Sequence, residues 1–301
     1  MKLAPILLFT YKKYEPLKLT VEALAKNQLA PKSTLYIFSD GPANTSDMKQ
    51  VEEVRKYIKN VSGFKQVYLI ISKTNKGLAN SIIDGVSEIL KTYESVIVLE
   101  DDLITSTNFL TYMNCALEFY NTNPKIMSIA GYSPTINVPD DYCYDNYFTL
   151  RASSWGWATW KQKWEVVDWS VGDYREFNKD KRAKKRFNSM GSDMSRMLEK
   201  QMNGKLNSWA IRWCYHQFKY ELYTVFPTVS KINNIGFGGE ATHTFGKNTD
   251  LRFNSYFDTS NRFEFNFSKT IVLDRKFIRK FVIPYSYKTR IFYKIKNLLR
   301  V

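Results

Sequence analysis

Three consecutive carboxylates, Glu100-Asp101-Asp102, follow directly on the apolar run Val96-Ile97-Val98-Leu99. Placed together at a strand end, such groups repel one another and lose hydration, so each is pushed toward its protonated form unless a cation or a base compensates. A divalent ion bound by carboxylate oxygens and by the two phosphates of a sugar nucleotide supplies that charge, and it stabilises a departing diphosphate as a Lewis acid. The plainer reading is a solvated acidic turn, or caps for a helix beginning near Asn108. Asp40 occupies the same kind of position, in Ile37-Phe38-Ser39-Asp40-Gly41. A carboxylate there accepts a base N–H or a ribose hydroxyl, or simply forms the turn before Gly41-Pro42. Asp193, Glu240, His216 and His243 are further groups able to take a proton.

These groups need elements to position them. Residues 4–10, 34–39, 67–72 and 96–99 are apolar runs of strand length, and a fifth, short one covers 126–130. Between them, Met48, Val51, Val54 and Ile58 fall at helical spacing, as do Leu78, Ile82, Val86 and Ile89, and a further helix is expected over 107–119. Ser46 or Asp47 is placed to cap the first of these. Strands apolar throughout and separated by helices predict a mostly parallel α/β sheet of the Rossmann-like kind, covered on both faces, with ligands bound outside the carboxyl ends of the strands. Asp40 and the acidic triplet belong on that rim.

The pattern changes after Tyr132. Aromatic residues become dense, with Trp155-Gly156-Trp157-Ala158-Thr159-Trp160 at their centre, and indoles there either pack as core or stack on sugars. A basic stretch over 174–205 reads as exposed helix, and 234–246 is a glycine-rich loop. The chain divides into a catalytic domain over 1–250 and a C-terminal extension over 251–301. Within the catalytic domain, residues 1–131 form the donor side and residues 132–250 the acceptor side.

The net charge is +15, and the last 27 residues hold nine Lys/Arg and no acid. Charge gathered in the tail, with carboxylates on the expected ligand rim, excludes nucleic acid as the partner. Ile291, Ile295 and Leu298 keep helical spacing among the basic residues. A helix of this kind lies on an anionic membrane surface, or packs on the domain with its basic face in water. No apolar run reaches membrane-spanning length. Three cysteines without metal-ligand spacing read as free thiols, so the cytoplasm, or the inner face of its membrane, is the expected address.

Pro5-Ile6-Leu7-Leu8-Phe9-Thr10-Tyr11, Phe38-Ser39-Asp40-Gly41, Asn75-Lys76-Gly77-Leu78-Ala79 and Val98-Leu99-Glu100-Asp101-Asp102-Leu103 occur in this order. In these the chain resembles GT-A-fold glycosyltransferases, looks like bacterial family-2-type sugar transferases, and is more distantly similar to the eukaryotic N-acetylglucosaminyltransferase I. The resemblance implies a hexosyl- or N-acetylhexosaminyl-type enzyme taking sugar from a nucleotide sugar, UDP-sugar first, to a glycan or lipid-linked acceptor. It implies that Asp102 ligates Mn²⁺ or Mg²⁺, that Glu100 and Asp101 contact the donor sugar or ribose, and that Asp40 holds the base with Thr10, Tyr11 and Lys13 lining its pocket. Trp155, Trp157 and Trp209 fall on the acceptor side.

The chain departs from the family pattern at the catalytic base. The relatives carry an Asp before a Trp that here corresponds to Trp209, but the residues before it are Asn207 and Ser208. Glu240 and His243 are the substitutes. A sugar-1-phosphate nucleotidyltransferase needs a glycine-rich loop after the first strand, and Tyr11-Lys12-Lys13-Tyr14 has no glycine. A carbohydrate-binding protein of the same fold without catalysis is the other alternative.

Overall fold

The structure is a computed structural model that describes residues 2–236, 253 and 255–298. Its first half alternates strands and helices: β1 (Ile6–Thr10), α1 (Tyr14–Ala25), β2 (Thr34–Ser39), α2 (Met48–Ile58), β3 (Gln66–Ile71), α3 (Leu78–Leu90), β4 (Ser95–Glu100), β5 (Leu103–Thr105), α4 (Phe109–Phe119) and β6 (Ile126–Ala130). The second half contains β7 (Asn146–Thr149), β8 (Trp157–Trp160), α5 (Lys161–Trp164), α6 (Tyr174–Lys179), α7 (Lys181–Phe187), α8 (Met194–Met202), α9 (Trp209–Lys219), β9 (Tyr223–Pro227) and β10 (Ile232–Asn234). Two helices, α10 (Arg275–Phe281) and α11 (Tyr287–Leu298), follow.

Among the described residues, eight strands form one mixed sheet in the order β3-β2-β1-β4-β8-β6-β9-β7, and β5 pairs with β10 beside it. The pairings give β1, β2, β3, β4, β6 and β9 a common direction, with β7 and β8 opposed. This is the mostly parallel α/β sheet expected. Each central strand serves two cores. Ile6 and Leu8 of β1 join α1, α2 and α4 on one face, while Leu7 and Phe9 join α3 and α9 on the other. That two-sided burial is why the strand is apolar at every position.

Four features differ from the sequence reading. The expected buried strand at 67–72 is the sheet's edge strand β3, with Tyr68, Leu69, Ile70 and Ile71 exposed. The basic stretch over 174–205 forms three helices, not a solvated one. Phe177, Phe187, Met194 and Leu198 pack there with Ile211 and Tyr215 of α9. Asn44, not Ser46 or Asp47, accepts the N–H that starts the turn into α2. Within Trp155–Trp160, the last four residues are β8, inserted antiparallel between two parallel strands.

Candidate functional site

Because six strands share a direction, their carboxyl ends form one rim, and the antiparallel β8 begins on that same rim. Thr10, Asp40, the Glu100–Asp102 triplet, Tyr132 and Trp155 therefore lie along one side of the sheet. The strand register aligns Phe9 of β1 with Glu100 of β4, which brings Thr10 and Tyr11 beside the triplet.

Asp101 is bound to the end of β1. Its Oδ2 accepts the Thr10 hydroxyl at 2.8 Å and the Tyr11 N–H at 3.1 Å. Burial, and then the neighbouring Asp102, raise its pKa to about 6 despite these two bonds. Glu100 forms no side-chain hydrogen bond or ion pair among the described residues. Burial, with Asp102 and Asp101 close by, lifts it to about 8. Asp102 is also raised, first by burial, and is opposed by Lys13, whose Nζ stands 3.6 Å from Oδ2. Among the described residues Lys13 is the one cation beside the triplet, and the raised pKa values mark carboxyls crowded together without enough positive charge, which a divalent cation would relieve.

No group of three or more His, Cys, Asp or Glu side chains among the described residues is arranged as a metal cage. Mg²⁺-type sites that share their ion with substrate phosphates need only one or two carboxylates. Asp101 is committed through one oxygen to Thr10 and Tyr11, which leaves Glu100 and Asp102, the latter beside Lys13, as carboxylates able to meet such an ion, and the residues present fit an ion of that kind. The chain returns to it: β10 pairs with β5, the Ile235 N–H donates to the Asp102 carbonyl at 2.9 Å, and Gly236 packs on the Asp102 carboxylate.

Asp40 is a backbone clamp. Its Oδ1 accepts the N–H groups of Gly41 at 2.8 Å and Lys76 at 2.9 Å, and its Oδ2 accepts that of Gly77 at 2.9 Å. Asn75 donates to the Gly41 carbonyl at 2.8 Å, and Arg55 binds the carbonyls of Asp40 and Ser72. A β-carbon at Gly41 would meet the Thr74 backbone at 2.5 Å, so only glycine lets the two loops cross this closely. Gly77, at φ +73°, turns the chain into α3.

Tyr11 is fixed from both sides. Its hydroxyl donates to Asp47 Oδ2 at 2.7 Å and accepts the Ala43 N–H at 2.8 Å, while Lys12 binds the other Asp47 oxygen at 2.6 Å. In sequence Asp47 reads as a helix cap, and no local pattern links it to residues 36 and 35 positions earlier.

The three indoles expected on the acceptor side separate. Trp155 is half-buried on the rim, with Tyr132 at 4.5 Å and Phe253 at 5.5 Å between ring centroids. Trp157 and Trp209 are only 1% and 3% exposed, packed on each other at 4.7 Å and on Trp213 and Trp164. Buried this deeply they offer no face to a sugar, and the expectation for those two is corrected to core.

Among the proton acceptors considered, Asp193 is taken. Both its oxygens bind Arg151 at 2.9 Å, and although burial works against the charged form, Arg151 keeps its pKa below the usual carboxylate range. His216 is buried against Tyr220, and burial lowers its pKa. Ser208, just before Trp209 where the resemblance would place a base, is the N-cap of α9. Glu240 and His243 lie outside the described residues.

No family model matches the chain. No curated protein matches it. Among solved structures, S. aureus TarS is similar at 14% identity and a TM-score of 0.38, over 56% of this chain and 30% of that one. A mannosyltransferase from Pyrobaculum calidifontis, solved with GDP-Man and Mn²⁺, is similar at 10% identity and a TM-score of 0.36, over 54% of this chain and 46% of that one. The chain thus spans less than half the length of either.

Proposed function

We propose that the chain is a metal-dependent glycosyltransferase that moves a sugar from a nucleotide-sugar donor to a glycan acceptor, polymeric or lipid-linked. The observation that carries this reading is the rim itself. Three carboxyl groups at the end of β4, with Lys13 the one cation beside them among the described residues, stand next to a donor-side wall built from Thr10, Tyr11 and Asp40.

In this reading Asp102 holds Mn²⁺ or Mg²⁺ together with the donor diphosphate, and the ion supplies Lewis-acid stabilisation of the leaving group. Lys13 adds positive charge beside it. Glu100, and the Asp101 oxygen not bound to Thr10 and Tyr11, face the donor sugar or ribose. The pinned ring of Tyr11 and the Asp40 clamp shape the nucleotide pocket, so their work is to keep backbone and ring in place before the donor arrives. Trp155 receives the acceptor. The base that deprotonates the acceptor hydroxyl is sought in residues 237–252, with Glu240 and His243 as its candidates.

A hydrolysis and transfer screen over UDP-, GDP- and dTDP-sugars, with Mn²⁺ and with EDTA, tests the reading. Release of nucleoside diphosphate from one donor class, dependent on the metal and abolished in Asp102→Asn, supports it. Equal rates with Mn²⁺ and with EDTA overturn the metal role. No release from any donor, with no nucleotide binding by calorimetry, overturns the function.

A further inference from the structure

The last two helices are built for different surroundings. Helix α10 buries Phe277 and Phe281 against Tyr147 of β7 and Phe226 of β9, with ring centroids 5.0 Å apart for Tyr147–Phe277 and for Phe226–Phe281. Its seat is fixed by the turn that follows. The Arg151 guanidinium stacks on the Tyr285 ring at 3.8 Å, Ser192 donates to the Tyr285 carbonyl at 2.9 Å, and Ser286 caps α11 by accepting the Thr289 N–H at 3.2 Å.

Beyond this bolted joint the pattern inverts. Tyr287, Ile291, Phe292 and Ile295 of α11 are 68%, 39%, 60% and 51% exposed, and Ile283 in the preceding turn is 55% exposed. Steps of three and four place these α11 residues on one stripe of the helix, together with exposed Lys288. Arg275, Lys276 and Arg279 of α10 are exposed as well, and residues 275–301 contain no acid.

We propose that this end of the chain docks on an anionic lipid bilayer, with the Tyr287-Ile291-Phe292-Ile295 stripe entering the headgroup region and the surrounding Lys and Arg meeting lipid phosphates. The charge selects the occupant. A second copy would bring two acid-free basic segments together and repel. An acidic polymer would satisfy the charge and leave the apolar stripe in water, whereas a bilayer surface takes both parts. The helix lies on the membrane rather than through it, since no described helix is long and apolar enough to cross. Tyr285 meets Phe253 at 5.5 Å, which in turn meets Trp155 at 5.5 Å, so the docking helix starts two ring contacts from the acceptor side of the rim. That a lipid-carried acceptor would be met there rests on the function proposed above. The docking does not.

The test is vesicle co-sedimentation of the full chain with phosphatidylcholine alone and with phosphatidylcholine containing phosphatidylglycerol, at low and high salt. Two surface variants accompany it: Ile291→Ser/Phe292→Ser/Ile295→Ser, and Lys276→Glu/Arg279→Glu/Lys288→Glu. Expected is binding that needs phosphatidylglycerol and weakens with salt. The apolar variant should lose on the order of tenfold or more in partitioning, and the charge variant on the order of a hundredfold or more, with unchanged thermal midpoints. No binding at low salt, equal binding to both vesicles, or wild-type binding by either variant overturns the proposal. So does a concentration-dependent dimer that the apolar variant abolishes, without vesicle binding. Metal-dependent donor hydrolysis in solution is read in parallel and is expected to be unchanged in both variants, so failure of docking and failure of the enzymatic reading are told apart.

Discussion

Gly236 lies against the carboxylate of Asp102 so closely that a β-carbon at position 236 would overlap its Oδ2, while the N–H of Ile235 holds the Asp102 carbonyl at 2.9 Å. The chain that leaves β10 is therefore registered on the acidic triplet through its main chain. With Asp102 where it is, the chain passes there because position 236 has no side chain.

Gly236→Ala tests this. The atom in the way is the end of a side chain, so the fold can give at little cost, and the thermal midpoint should stay near that of the parent. Asp102 has to move. Metal-dependent donor hydrolysis should fall on the order of tenfold, and Asp102→Asn should lower it by at least about a hundredfold. Parent-like hydrolysis in the alanine variant would show that Asp102 needs no fixed position.

Asp40→Ala removes the acceptor of three main-chain N–H groups, each bonded to a charged carboxylate. A destabilisation of about 2–3 kcal/mol is expected, read by urea unfolding. Faster amide exchange at Lys76 and Gly77, and nucleoside diphosphate affinity weakened by about 1–3 kcal/mol in calorimetry, should accompany it. Lost stability with intact affinity would leave Asp40 a clamp for the loop and nothing more.

Replacing two neighbouring tryptophans should have opposite signatures. Trp155→Ala is expected to raise the acceptor KM while leaving donor hydrolysis and stability close to the parent. Trp157→Ala opens a hole beside three other indoles and should cost about 3–5 kcal/mol of stability. A steady-state comparison with one acceptor, beside chemical unfolding of both variants, separates them.

Acid should act through Asp258. Its carboxyl is buried, which alone would raise its pKa. The ion pair with Lys231 and hydrogen bonds from the Ser260 N–H and from Asn108 instead bring it down to about 2. A carboxylate depressed in the folded state binds its proton more weakly there than in the unfolded chain. Its stabilisation is thus present above the unfolded value, near 4, and is lost as pH falls through about 2. The thermal midpoint should drop over that window, and the drop should be shallower in Asp258→Asn. Identical pH profiles would remove Asp258 from the acid response.

The rim at the carboxyl ends of β1, β2 and β4 was legible in the amino-acid order because these strands pack on both faces and the carboxylates follow the apolar runs. Glu100-Asp101-Asp102 and Asp40 announce themselves this way. What each carboxylate does was not legible, since its partners are distant: Asp101 answers Thr10, 91 residues earlier, and Asp40 answers Lys76 and Gly77, 36 and 37 residues later. Strand β8 escaped because four residues, Trp-Ala-Thr-Trp, are too few to show a period, and buried indoles look the same in sequence as exposed ones. Edge strand β3 is as apolar as the central strands, so its place at the sheet's edge could not be read from its composition. In α6–α8 the apolar anchors Phe177, Phe187 and Leu198 are outnumbered by Lys and Arg, which made a packed helical layer read as surface.

The tryptophans also give the protein its own optical label. Trp157, Trp164, Trp169, Trp209 and Trp213 sit together on the α3–α9 face of the sheet, and Trp160 is buried in the opposite core, which leaves Trp155 as the indole at the rim. Close-packed indoles exchange excitation, so the cluster, buried except at half-buried Trp169, emits largely as a unit away from the rim, while Trp155 is placed to respond to whatever binds beside it. Emission from a Trp155→Phe variant is then the constant background, and the difference from the parent spectrum is a site-resolved titration signal that needs no added dye.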